Sequence, residues 1–242
     1  MLFALFSELT ARIRNMTIEA LASLTRVLRI TPESFEEIVE TAAEVLLRGG
    51  VVALPTDTLY GVSTLIEHSD KLYALKRRQR EKPLGLFLAD PAHIPLWARL
   101  TISPQLARQL LPGPVTLILD RLPSLPRSFN PDTENVGVRV PDSLLVRTLC
   151  ARLGRPLAQT SANVSGSPVN PTRVDDFCDL MGQIDLVLDG GVIGNPSNEE
   201  TTSTEGSTIV DLTKDNFYRI VREGCALKRT EEILRTAGLR PL

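Results

Sequence analysis

The chain is predicted to be a single mixed α/β domain, built on a large twisted β-sheet of mixed strand direction with flanking helices. Two observations predict this fold. Seven short apolar runs are typical of buried strands, and helical patterns lie between several of them. The last two runs, 207–211 and 217–221, are so close in sequence that they indicate a hairpin. Helices and strands therefore do not alternate strictly, which argues against a doubly wound parallel sheet.

The remaining elements follow in chain order. The other predicted strands occupy residues 51–54, 84–88, 115–119, 136–140 and 184–188. The first helix is predicted to start with Thr31 as N-cap and Pro32 at the first helical position, and to end at Gly49. Helical spacing of apolar residues recurs at 69–78, 103–110, 142–152, 174–180 and 230–236.

Length and composition favour one domain over residues 31–242, because no linker divides the 242 residues and 43% of them are hydrophobic. Residues 1–30 are predicted to be an N-terminal extension; a targeting peptide and a loosely packed segment are both open for it. No apolar run reaches the roughly 20 residues that a membrane span needs. The net charge of -2 gives no global reason for a polyanionic partner, so such affinity must come from local clusters.

Cysteine and histidine usage excludes several classes of site. The three cysteines form no CxxC pair and are odd in number, which argues against a disulfide framework and a zinc site and favours a reducing compartment. Only two histidines are present, so a histidine-based metal centre or catalytic triad is not expected. We predict no metal site made by protein side chains.

Residues 49–83 carry the clearest sign of a ligand site. An apolar strand runs into hydroxyl residues and a turn, and the following helix ends in a basic cluster at 76–82. Lys76, Arg78 and Lys82 suit phosphate oxygens, and Thr56 and Thr58 add hydroxyls at the strand end. The alternative is that cations in a last helical turn complement the helix dipole and are solvated.

Two further segments have the composition of binding turns. Residues 160–166 place Ser161, Asn163 and Ser165 around a glycine, although many Asn/Ser-rich turns have no ligand. Residues 206–211 are followed by Arg222, which a hairpin could return beside Ser207. The familiar phosphate motifs are missing, since there is no GK[ST] and 190–194 is no dinucleotide fingerprint. Between these segments, residues 194–206 are predicted to form a mobile surface loop.

Taken together, these segments resemble the YrdC-type threonylcarbamoyl-AMP synthase family over residues 33–227. The blocks that carry the resemblance are 55–61, 76–78 with 82–84, 111–116, 137–141, 160–166, 207–211 and 222–224. The resemblance implies a large twisted mixed sheet with a concave, positively charged face, formed by a YrdC-like catalytic domain over 31–242. It also implies a synthase that joins L-threonine, bicarbonate and ATP into L-threonylcarbamoyl-AMP and releases pyrophosphate, the first step of threonylcarbamoyl-adenosine formation in tRNA.

The resemblance implies roles for individual residues. Catalysis and triphosphate neutralisation fall to Lys76 and Arg78, and Lys82, Arg222, Ser161, Asn163 and Ser165 complete the ATP site. Arg139 is expected to make a forked contact with the threonine carboxylate, with Thr56, Thr58 and Ser207 completing the amino-acid site. Magnesium is expected to come with ATP and to be held mainly by phosphate and water. A tRNA-modifying transferase is the expected downstream partner, in the cytoplasm or also in mitochondria.

Two departures and one alternative stand beside this interpretation. Phe87 occupies a position where many members have histidine, and Gln79 one where proline is common. The alternative from another class is a non-catalytic double-stranded RNA or tRNA-binding module, because a basic concave surface also binds phosphodiester backbones. Direct tRNA binding by an active enzyme is open as well. Aromatic residues for base stacking make up only 5% of the chain, which disfavours single-strand reading.

Overall fold

A mixed sheet runs through residues 25–77, 79–193 and 205–242, the parts of the chain that a computed structural model describes. Eleven strands are formed in these ranges: β1 (Arg26–Arg29), β2 (Val52–Pro55), β3 (Tyr60–Leu65), β4 (Gly85–Phe87), β5 (Val115–Asp120), β6 (Asn135–Arg139), β7 (Leu157–Ser161), β8 (Leu186–Asp189), β9 (Thr208–Asp211), β10 (Phe217–Arg222) and β11 (Arg240–Pro241). The helices are α1 (Phe35–Leu47), α2 (Asp70–Lys76), α3 (Pro104–Leu110), α4 (Leu144–Leu153) and α5 (Leu227–Thr236). Short 3-10 helices occupy Ile66–His68, Pro91–Leu96 and Val174–Leu180.

The strand order is β1-β8-β2-β3-β7-β4-β6-β5-β9-β10-β11. Parallel pairs (β1 with β8, β8 with β2, β4 with β6, β5 with β9, β10 with β11) are mixed with antiparallel ones in the same sheet. β9 and β10 pair antiparallel, with Ile220 opposite Val210. The predicted mixed sheet and the predicted hairpin are therefore confirmed.

The two faces of the sheet are covered differently. One face packs Tyr60, Val62, Leu86 and Val138 into a large apolar core with α2, α3 and α5. The other face is covered over β8, β2 and β3 by α1 and α4, whose apolar stripes meet side chains such as Leu54. On the same face, Phe87 of β4 and Leu157 of β7 still pack in this second core cluster, whereas neighbouring residues of β4, β6 and β7 are left uncovered. That uncovered area is where the cavity lies.

Several predicted details differ from the structure. α1 begins at Phe35, so Thr31 is not its N-cap; its hydroxyl and that of Ser34 instead accept from each other's backbone N–H and close the turn before the helix. The 174–180 segment is a kinked 3-10 helix and not an α-helix. β1, β3, β7 and β11 were not among the seven predicted strands, and β1 lies within the range 1–30 that the sequence assigns to an extension.

Some predictions concern parts of the chain outside the described residues. These are the phosphate contact of Arg78, most of the loop at 194–206, and the targeting role of residues 1–24. Within the described ranges, none of the helices has the length and apolar character needed to cross a bilayer.

Candidate functional site

A cavity of about 620 Å³ opens on the part of the sheet that α1 and α4 leave uncovered. Seven strands supply its floor and walls, from β3 on one side to β10 on the other. Of the residues predicted to bind ligands, Thr56, Thr58, Arg139, Ser161, Ser207 and Arg222 line it. Segments far apart in sequence are therefore gathered around one space, which is large enough for a nucleotide-sized ligand.

Three glycines on neighbouring strands form the floor. Gly85 of β4 is in register with Gly137 of β6, and Gly61 of β3 is opposite Ser161 of β7. A Cβ at Gly61 would lie 2.2 Å from Nε2 of Gln159, and one at Gly137 would lie 3.2 Å from Thr116 Cγ2. The glycines therefore leave room for the side chains of Gln159 and Thr116, which lie close to the sheet and shape the floor of the cavity.

Arg139, at the end of β6, is buried in the wall of the cavity with 4% of its surface exposed. Its Nη2 donates to Asp57 Oδ1 at 2.5 Å and to Thr58 Oγ1 at 3.1 Å, and its Nε donates to the Gly113 carbonyl at 3.3 Å. Burial lowers the pKa of the guanidinium below its usual value, and the Asp57 carboxylate opposes this shift. The cation is thus held in a low-dielectric wall by one carboxylate.

These contacts limit how Arg139 can hold a ligand. A guanidinium has five N–H hydrogens, and three of them are used by Asp57, Thr58 and Gly113. The two hydrogens on Nη1 donate to none of the described residues, and Arg139 lines the cavity. A carboxylate can therefore be met by Nη1, whereas the fork across two nitrogens that the sequence suggested is already engaged. The threonine-binding role of Arg139 itself stays a prediction.

The Thr56 hydroxyl is occupied by its own turn. It donates to the Leu59 carbonyl at 2.7 Å and accepts from the backbone N–H groups of Thr58 and Leu59 at 3.1 and 3.2 Å. Such a hydroxyl closes the turn between β2 and β3 as a backbone group would. Thr56 therefore shapes the site by fixing Thr58 next to Arg139.

Lys76 joins the first and second sequence segments. It is 1% exposed, and its Nζ lies 2.6 Å from the Ser161 carbonyl, 3.1 Å from the hydroxyls of Thr160 and Ser161, and 3.2 Å from Asn163 Oδ1. The Ser161 hydroxyl in turn donates to Asn163 Oδ1 at 2.7 Å. A buried ammonium beside the cavity-lining Thr160 and Ser161 gives this wall a positive charge that suits an anionic ligand.

Ser207 and Arg222 meet across the hairpin, as the sequence suggested. Arg222 donates to the Ser207 carbonyl at 2.7 and 3.0 Å and to its hydroxyl at 3.0 Å. The hydroxyls of Ser207 and Thr116 lie 2.9 Å apart, which links β9 to β5. This gives the opposite wall of the cavity a second cation.

Other residues that were predicted to bind ATP lie near the cavity but do not line it. Lys76, Lys82, Asn163 and Ser165 are not among the residues that line the cavity, and Lys76 lies behind the lining residues Thr160 and Ser161. The backbone N–H of Ser165 donates to the Lys76 carbonyl at 3.4 Å, and its buried hydroxyl has no hydrogen-bond partner within the described ranges. Their roles in ATP binding remain predictions.

Sequence reasoning missed several residues of the site. Asp57 lies inside a recognised block, but no local signal shows that it contacts Arg139, 82 positions later. Gln159 supports the floor by accepting from the Ser63 hydroxyl at 2.8 Å, and Thr116 contacts Ser207. Phe87 was not missed, because the sequence already marks it as a departure from the resembling family; it lines the cavity, with the Arg139 guanidinium carbon 5.5 Å from its ring centroid. An apolar ring thus occupies the position where a histidine is common in the resembling family.

A protein metal site needs several His, Cys, Asp or Glu side chains close together. Among the described residues, no three His, Cys, Asp or Glu side chains are grouped so that they could hold an ion. Magnesium entering as the Mg–ATP complex needs no such group, because phosphate and water supply most of its ligands.

Comparison with known proteins relates this architecture to a family. A model covering the Sua5, YciO and YrdC proteins, described as "Telomere recombination", matches residues 44–224. Proteins named threonylcarbamoyl-AMP synthase from Homo sapiens and Bos taurus are 41% and 40% identical over 209 and 208 residues, covering 85% of this chain and 74% of each relative.

A solved structure has the same fold. The crystal structure of P. abyssi Sua5 complexed with L-threonine matches with a TM-score of 0.74 and 26% identity, over 90% of this chain and 62% of that one. This chain thus spans less than two thirds of that protein. Since the family model covers all seven cavity-forming strands and the relatives extend the match over most of the sequence, the chain belongs to the Sua5/YciO/YrdC family.

Proposed function

We propose that this chain is an L-threonylcarbamoyl-AMP synthase, which joins L-threonine, bicarbonate and ATP and releases pyrophosphate. The observation that carries the proposal is the cavity, where Arg139, the Lys76 cluster and the Ser207–Arg222 pair border one space. The names of the relatives at 40–41% identity support it, as does the threonine complex of P. abyssi Sua5. The same cavity would hold the amino acid and the nucleotide side by side.

The reaction requires a site that binds several anionic groups next to one another, and it does not require a nucleophilic side chain. The amine of threonine and bicarbonate give a carbamate and water, and a carbamate oxygen then attacks the α-phosphorus of Mg–ATP while pyrophosphate leaves. Positioning the two anions and stabilising the charge that develops on the phosphorus oxygens can supply most of the rate enhancement. Lys76 and Arg222 would act on the phosphates, and Arg139 would hold the threonine carboxylate through Nη1.

The test measures pyrophosphate released by the purified chain with Mg–ATP, L-threonine and bicarbonate. We expect release only when all three are present, because the carbamate must form before the phosphorus is attacked. Arg139→Gln should abolish release at low threonine, and Arg147→Gln, which changes a surface arginine outside the cavity lining, should not. Pyrophosphate release that is independent of threonine would contradict the proposal.

The product implies a partner. Threonylcarbamoyl-AMP is a mixed anhydride that reacts with water, so a transferase that moves the threonylcarbamoyl group to an adenosine of tRNA must consume it promptly. Direct tRNA binding by this chain is a separate question, and a filter-binding titration with unmodified tRNA at two salt concentrations addresses it. A chain that binds tRNA but makes no adenylate would be the non-catalytic module considered above.

A further inference from the structure

Asp57 has no role in the proposed chemistry, yet its side chain is only 10% exposed and forms an ion pair with Arg139, which lines the cavity. Its Oδ1 accepts from Arg139 Nη2, and within the described part of the chain its side chain makes no other hydrogen bond. Its second oxygen, Oδ2, is buried without a partner there. Among the described residues, Arg139 is therefore the one hydrogen-bond partner of this carboxylate.

We propose that Asp57 is a positioning residue that aims Arg139, so that Nη1 alone is presented to the carboxylate of the amino-acid substrate. This inference rests on the proposed function and goes beyond it, because it concerns how the amino-acid site is built. Asp57 itself touches no substrate in this proposal. It acts by fixing where the guanidinium lies and which of its edges faces the cavity.

The hydrogen-bond geometry supports this role. Arg139 could rotate about its last side-chain bonds if only Nε were held by the Gly113 carbonyl at 3.3 Å. Asp57 and Thr58 take both hydrogens of Nη2, which fixes the plane of the guanidinium as well as its distance from the wall. A planar fork held at two of its nitrogens keeps the third in one direction.

Charge supports the same conclusion. A buried guanidinium without a counter-charge is costly, and the sole ion pair of Arg139 in the described ranges is with Asp57. With the pair neutral as a whole, a ligand that brings both a carboxylate and an amine adds no net charge to the wall. Such a site fits an α-amino acid better than a dicarboxylate, which would leave two negative charges uncompensated.

The test compares the apparent KM for threonine and for ATP in Asp57→Asn, with Asp142→Asn as the matched control. Asp142 is an exposed carboxylate outside the cavity lining, so its variant makes the same charge change elsewhere. We expect Asp57→Asn to raise the threonine KM by about tenfold or more, as loss of a charge-assisted contact does. The ATP KM should change by less than about twofold, and Asp142→Asn should change neither, as distant sites act independently.

The Asp57→Glu variant distinguishes an effect on the position of the Arg139 guanidinium from an effect on its charge balance. Glutamate keeps the counter-charge but is one methylene longer, so the guanidinium is displaced while the wall stays neutral. The proposal requires a raised threonine KM in Asp57→Glu, even if Asp57→Asn fails to fold. An unchanged threonine KM in Asp57→Glu, or equal changes for threonine and ATP in either variant, would overturn it.

The two proposals can fail separately. If the parent chain releases no threonine-dependent pyrophosphate, the proposed function is wrong. If the parent chain is active and the Asp57 variants keep its threonine KM, only the positioning role of Asp57 is wrong.

Discussion

Lys76 shows at the scale of one residue how a basic cluster divides between interior and surface. Its ammonium is buried against Ser161 and Asn163, whereas Arg80, four residues later, pairs with Asp70 at 3.0 Å on the surface. Sequence alone gives both residues the same charge and nearly the same neighbours. The difference comes from the end of α2, where Lys76 still faces the sheet and Arg77, at φ 48°, turns the chain away.

Lys76→Ala is therefore expected to lower stability as well as activity. It removes the donor to Thr160, Ser161 and Asn163, and leaving such acceptors unmet costs about 1–3 kcal/mol. Urea unfolding followed by circular dichroism measures the loss. Lys228→Ala, at an exposed position of α5, is the control and should change the free energy of unfolding little. Equal stabilities of the Lys76→Ala protein and the parent would show that the buried contacts are not needed.

Arg139→Lys tests the anchoring of the guanidinium. Lysine keeps the charge but cannot make the contacts to Asp57, Thr58 and Gly113 at once. We expect the threonine KM to rise by about tenfold or more, with a far smaller change for ATP. Falling ATP affinity with unchanged threonine affinity would instead place Arg139 in the nucleotide site.

At the scale of elements, the strands that build the site were the hardest to predict. β3 carries Gly61 at the cavity and two buried polar residues, Ser63 and Thr64, which donate to Gln159 Oε1 and to the Gly50 carbonyl, and it therefore lacks the strand signal. β1 has four residues, two of them arginines, and gains its order from pairing with β8. β2 and β8 were predicted because burial on both faces leaves a continuous hydrophobic run, and β5 and β6 because their buried face carries apolar residues at alternate positions.

The β9–β10 hairpin depends on Gly224 for its close return to β9. A Cβ there would lie 2.4 Å from the Gly206 carbonyl oxygen and 2.5 Å from the backbone at Ser207 and Thr208. Gly224→Ala must displace these atoms, so we expect a loss of about 1–3 kcal/mol in stability and a reduced rate, because Ser207 and Arg222 move. Thermal unfolding and pyrophosphate release measure the two effects.

Gly154→Ala is the matched control for that variant. Gly154 has φ 64° at the end of α4 and no atom within 4 Å of its would-be Cβ. Alanine there should cost about 1 kcal/mol from backbone strain and leave both substrate KM values unchanged. If Gly224→Ala behaved in the same way as Gly154→Ala, the close return would have no role in shaping the site.

At the scale of the whole molecule, the sheet has one fully covered face and one face shared between helices and substrate. Sequence predicted the mixed sheet and grouped most of the cavity-lining polar residues through the family resemblance. It could not predict contacts such as Asp57 with Arg139 or Lys76 with Asn163, because these depend on which strand lies beside which.

Tyr60 links distant parts of the fold and makes stability depend on pH. Its hydroxyl donates to the Gly191 carbonyl at 2.7 Å and accepts from the Gly190 N–H at 2.9 Å. Burial raises the pKa of Tyr60 from 10.0 to about 12. The folded chain therefore holds this proton more tightly than the unfolded chain, so the contribution is complete below the unfolded pKa and is lost as pH rises toward the folded one.

Tyr60→Phe should remove this alkaline dependence. We expect the variant to be less stable by about 1–3 kcal/mol at neutral pH, with a difference from the parent that shrinks above about pH 10. Urea titrations at several pH values measure it. A difference that stayed constant up to about pH 11 would contradict the raised pKa.

The central claim is that the protein binds threonine, bicarbonate and ATP in one cavity and links them into one product. Incorporation of labelled carbon from bicarbonate into that product tests the claim most directly. The chain is incubated with Mg–ATP, L-threonine and ¹³C-bicarbonate, and the adenylate is analysed by mass spectrometry. The account predicts threonylcarbamoyl-AMP carrying the labelled carbon, formed together with pyrophosphate and lost in Arg139→Gln. ATP converted to AMP and pyrophosphate without a labelled threonylcarbamoyl product would contradict it.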